Sequence, residues 1–149
     1  MISKSFKSTR TLLGASLLVS LLSACAPMAN MTGMMMGDNL KLSGAQEVPP
    51  VSTGAAGTGQ IKVAADGTVS GSVTTTGLAG TMAHIHIGAM GVNGPVIVPL
   101  AGTSPGVWSV PAGAKLTAEQ LSAYQAGNLY VNVHSAANKG GEIRAQLKP

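Results

Sequence analysis

Aromatic side chains are nearly missing from this chain: Phe6, Trp108, Tyr124 and Tyr130 are the whole set in 149 residues. So few rings exclude a stacking platform for single-stranded nucleic acid. Charge is scarce too, at 9% of residues. Lys and Arg never cluster, so the basic footprint of a nucleic-acid binder is absent and no nucleic-acid partner is expected. Cysteine occurs once, at Cys25, which excludes an internal disulfide. The apolar run Leu12 to Leu22 is about 11 residues long, too short to span a bilayer. Catalytic templates also fail. The five acidic residues are scattered, without an obvious carboxylate pair. Ser135 adjoins His134, but neighbours on a strand point to opposite faces, which misplaces them as nucleophile and base. The run Gly88 to Pro95 is glycine-rich yet has no lysine or following helix, so it is read as a loop and not as a phosphate cradle.

What the chain does have begins at its start. Lys4, Lys7 and Arg10 precede the apolar run, the order of a signal peptide. Cys25 stands directly after Leu22-Ser23-Ala24, and this sequence resembles the lipobox of bacterial lipoproteins. The resemblance implies lipidation of the Cys25 thiol and cleavage before it. Residues 1–24 are then a signal peptide, 25–39 a methionine-rich tether and 40–149 the domain. It further implies export and a lipid anchor in the cell envelope, with the membrane as one partner. Ala26, where inner-membrane retention usually shows Asp, favours the outer membrane. Loss of Lys4, Lys7 and Arg10 lowers the net charge from +4 to +1. The tether leaves two readings open. It is either a plain flexible spacer, or Met28, Met31, Met34, Met35 and Met36 offer soft thioether ligands for Cu(I).

From Leu40 the chain turns to short runs of Val, Ile and Thr between Gly and Pro turns. This spacing predicts strands near 40–43, 58–64, 68–75, 82–87, 95–100, 106–110, 129–134 and 141–147. Asp66-Gly67 marks a hairpin between the second and third. Thr117, with Gln120 at capping-box spacing, starts one short helix over 117–125, with Leu116, Leu121 and Tyr124 as its apolar contacts. Glu47-Val48-Pro49-Pro50-Val51 cannot donate to a ladder at its prolines and is expected at an edge or crossover. The pattern is all-β, an antiparallel sandwich or barrel, immunoglobulin-like or superoxide-dismutase-like, with one helix.

Four stretches, Leu42–Val51, Ala83-His84-Ile85-His86-Ile87-Gly88, Leu129–Ser135 and Gly141–Leu147, together resemble the CHRD family, a domain named after chordin and common in bacterial exported proteins. Leu116-Thr117-Ala118-Glu119-Gln120 matches the family's helix segment. The resemblance spans about residues 40 to 148. It implies an all-β extracytoplasmic domain whose role is interaction more than catalysis.

All three histidines of the chain lie inside those stretches. Strand alternation puts Met82, His84 and His86 on one face and Ala83, Ile85 and Ile87 on the other. It likewise groups Tyr130, Asn132 and His134 against Val131 and Val133, and Glu142, Arg144 and Gln146 against Ile143, Ala145 and Leu147. If these strands are neighbours, His84, His86 and His134 gather into a three-nitrogen site suited to copper or zinc, with a coordination position left open. Asn132, Glu142 and Arg144 border it, Glu142 as a fourth ligand or as an orienting partner. Arg144 would repel a cation if it pointed inward. Three functions stay open: a metal-binding module, a metal-free module for a protein or polymer partner, and a mononuclear copper redox enzyme. The His-x-His strand resembles the copper strand of copper–zinc superoxide dismutases, but the chain lacks the histidines and cysteine pair of that family. A dinuclear dismutase is excluded.

Overall fold

The computed structural model describes residues 39–149. The signal segment, Cys25 and the five tether methionines lie outside the described residues. Eight strands run in the order β1 Asn39–Ser43, β2 Ala56–Val63, β3 Val69–Thr76, β4 Gly80–Ile87, β5 Val96–Ser104, β6 Val107–Ser109, β7 Leu129–Ser135 and β8 Ile143–Leu147, with helix α1 Ala118–Gln125 between β6 and β7. They close into a barrel in the order β1-β2-β3-β6-β5-β4-β7-β8, with antiparallel pairing throughout. The expected sandwich or barrel is therefore a closed barrel. Closure leaves no sheet edge for another chain to extend.

Local chemistry explains the connections. Gly67 takes φ +86° at the β2–β3 turn, a conformation glycine adopts without steric cost. The Asp66 carboxylate there accepts from the Thr68 amide and hydroxyl at 2.9 and 2.8 Å. The helix starts as its sequence predicts: the Thr117 side chain accepts from Gln120 N–H, and the Gln120 side chain accepts from Thr117 N–H. Tyr124 is buried and donates its hydroxyl to Lys148 O at 2.9 Å, which ties α1 to the C-terminal end.

Inside the barrel, Leu42, Ile61, Val63, Val73, Ile85, Val131, Val133 and Ile143 form a dry apolar core. Full burial of each such side chain contributes about 1.5–3 kcal/mol. Most strands follow the expected alternation and leave their other face to solvent. β7 does not: all seven of its residues are buried. The polar face of β4, β7 and β8 is thus no half-solvated sheet surface. Two connections fold over it, residues 44–53 and 88–95, and turn it into a second, polar layer outside the barrel wall.

Candidate metal centre

β7 lies between β4 and β8, which satisfies the condition set by the sequence for a histidine cluster. The register pairs Met82 with His134, His84 with Asn132 and His86 with Tyr130, and Asn132 with Arg144. Alternation then carries His84, His86 and His134 to one face. One ligand nitrogen from each lies within 4.8 Å of the others. His84 Nδ1 and His134 Nε2 are 3.0 Å apart.

The ring nitrogens have defined roles. His86 Nδ1 lies 2.9 Å from Gly94 O and His134 Nδ1 lies 2.9 Å from Lys139 O. A carbonyl only accepts, so both Nδ1 atoms carry the proton and both Nε2 atoms present a lone pair. His134 Nε2 then accepts a hydrogen bond from His84 Nδ1–H. Buried His86 Nε2 has no hydrogen-bond partner. Asn132 favours the protonated ring, but its Oδ1 is an acceptor and its Nδ2 donates to Gly140 O, so the amide supplies no donor to a lone pair at that nitrogen. An imidazole held at one nitrogen by a backbone carbonyl and bare at the other is the arrangement metal-bound histidines adopt.

Burial holds His84 below the ordinary imidazole range, with the neighbouring His134 and His86 adding to the effect. His86 is also lowered, chiefly by burial, against the opposing pull of the Gly94 carbonyl. Both rings are therefore neutral at neutral pH, and His84 has only to shift its proton from Nδ1 to Nε2 to offer the clustered nitrogen to an ion. Two nitrogens each 2.0–2.1 Å from one metal stand at most about 4.2 Å apart. The widest separation in the cluster must contract on binding, while the 3.0 Å pair already fits.

The residues predicted around the cluster divide. Arg144 is 1% exposed and does not enter it. It lies on the β8 side of Tyr130, with the guanidinium carbon 3.4 Å from the ring centre, while His86 stacks on Tyr130 from the β4 side at 4.7 Å and 5°. Its donors reach Ala89 O, Val92 O, Asn93 Oδ1 and Gln146 Oε1 at 3.1–3.2 Å. Arg144 is thus the staple of the 88–95 loop. Asn132 sits between the histidines and Arg144 in the register. Glu142 is engaged elsewhere: its carboxylate accepts from the Thr53 hydroxyl at 2.8 Å, and hydrogen bonds from Ser135 and Thr53 hold its pKa low. It is not part of the group that can hold an ion.

Glu47 is the residue that sequence reasoning missed. Its segment is the connection from β1 to β2, in keeping with the expected edge or crossover, but Glu47 itself is 4% exposed, with its carboxyl pushed up by burial and partly drawn back by Arg144 and Asn132. It follows the 3₁₀ turn Gly44–Gln46, and its one sequence signal is an acidic residue set in an otherwise apolar, proline-rich segment. Gly141 takes φ +132°, and a Cβ there would collide with Glu47 Oε1 and Asn132 Nδ2. The close approach of these two groups therefore requires glycine. Ser135 serves a turn, its hydroxyl accepting from Asn138 N–H at 3.1 Å.

The architecture is an all-β closed barrel with a His-x-His strand and a buried Arg on β8 in a polar layer on one wall. A family profile for the CHRD domain matches residues 39–147, and the chain belongs to that family. No curated protein and no solved structure matches it.

Proposed function

We propose that this CHRD domain is a metal-binding module that holds one copper or zinc ion through His84, His86 and His134. The observation that supports it is a set of three clustered imidazoles in which two rings are fixed by backbone carbonyls at Nδ1 and one, His86, is left with a buried Nε2 that has no donor. His134 Nε2 is spent on His84 Nδ1, but a purely structural network would also provide a donor for His86 Nε2. Titration of the purified protein with copper and with zinc tests the reading. One equivalent should bind tightly, and His84→Ala should weaken binding by about tenfold or more. Silence toward both metals at micromolar concentration would remove the proposal.

We further propose that the module works at the cell envelope on a lipid attached to Cys25. The support is the order of basic start, apolar run and Leu-Ser-Ala-Cys. Cells expressing the protein should incorporate a labelled fatty acid into it, and Cys25→Ala should abolish the label. Label retained in that variant would place the lipid elsewhere.

A further inference from the structure

The site leaves one soft group unused. Met82 sits two residues before His84 on β4, and so leaves the strand on the histidine face. It is the direct cross-strand partner of His134, a placement that sets Cβ atoms about 4.5–5.5 Å apart. The register shifts between Gly80 and Met82, a bulge that Thr81 fastens through its hydroxyl to His134 O at 3.3 Å. Bulges of this kind re-aim side chains beside functional sites. Met82 is also 49% exposed, although the barrel has an apolar core to receive such a side chain. Along β4 exposure rises from buried His86 through half-buried His84 to Met82, so the cluster opens toward the Met82 end of that strand.

Charge points to the kind of ion. The three nitrogens and the thioether are neutral, and the ion-holding group contains no carboxylate. Arg144 adds positive charge from beyond Tyr130. A divalent cation would find no counter-charge among these ligands, whereas a monovalent soft ion costs less in this field. Imidazole together with thioether suits cuprous copper, since thioether is a poor ligand for harder ions.

We propose that Met82 supplies the fourth ligand of this centre and that the site thereby selects Cu(I) over Zn(II). The proposal rests on the three-histidine reading, and its test separates the two. Cu(I) affinity is measured anaerobically on the purified protein by competition with a chromophoric Cu(I) chelator, and Zn(II) affinity with a zinc dye. His84→Ala, which removes one of the three nitrogens, gives the reference for a broken site, tether methionines included. Met82→Leu keeps the size and apolar character of an exposed side chain, and its fold is checked by circular dichroism. The expected result is a Cu(I) affinity at least about tenfold weaker in Met82→Leu, with Zn(II) affinity changed less than about twofold. Equal Cu(I) affinity in wild type and Met82→Leu, both above the His84→Ala background, overturns the Met82 proposal and leaves the histidine site standing. Wild type no better than His84→Ala for either ion overturns both. Parallel loss of Cu(I) and Zn(II) affinity in Met82→Leu overturns the selectivity.

Discussion

At the scale of single residues, the histidines make folding depend on pH. His84 and His86 are both lowered from the free value of 6.5, so the unfolded chain binds protons that the folded chain refuses. Stability is then full above about pH 6.5 and declines as pH falls through the folded values. Glu142, lowered by its hydrogen bonds, loses its contribution further down, below 4.5. Glu47 acts in the opposite sense: raised by burial, it contributes fully below 4.5, and that part is lost as pH rises through its folded value. Going from about pH 7.5 to about pH 5, the net expectation is a lower thermal midpoint, because the unfolded chain takes up protons at two histidines below 6.5 while Glu47 alone opposes them. His84→Ala should flatten that drop, as seen by calorimetry at the two pH values. Equal slopes in wild type and variant would refute the assignment.

At the scale of elements, backbone bonds hold the 88–95 loop at its ends, Ile87 N–H to Pro95 O and Gly88 N–H to Asn128 O, and side chains hold its middle. Arg144 takes three of its acceptors and Gln146 donates to Gly88 O at 2.9 Å, while Asn93 donates to Val48 O of the other covering segment. Gly94, whose carbonyl orients His86, lies in this loop. Arg144→Met keeps much of the volume and removes the donors, stranding carbonyls and the buried Glu47 carboxyl. The expected cost is about 3 kcal/mol in chemical denaturation, the usual result of removing one partner from a buried charged network. A variant within about 0.5 kcal/mol of wild type would mean that the loop holds without its staple. The elements themselves were largely legible in the sequence. Val, Ile and Thr alternation located the strands, and Thr117 with Gln120 located the helix start, because these signals are local. Parity alone placed His84 with His86, and the β4-β7-β8 order then brought in His134. The paths of residues 44–53 and 88–95 were not legible, since they depend on contacts with residues far along the chain and carry no periodicity. For that reason the burial of Glu47 within its edge or crossover segment was not legible, and the polar face was expected to meet solvent.

At the scale of the whole molecule, closure and double-sided burial should make opening uneven. β7 is covered on both faces, whereas β6 has three half-buried residues and meets its neighbours through three register pairs on each side. Amide hydrogen exchange should therefore be slowest in β7 and fastest, among the strands, in β6, because slow exchange follows buried and paired backbone. Comparable protection in the two strands would argue against that gradient.

The two-faced burial of β7 has a consequence for error during folding. Slipping β7 by one residue would push Asn132 and His134 into the dry interior and turn Val131 and Val133 toward the loops, penalising both layers together. Most strands can misalign at the expense of one buried face, but this one forfeits two. The imidazole cluster thus doubles as a proofreading mark: only a chain threaded in the right alignment can assemble it, and ion uptake would report that the barrel has closed correctly.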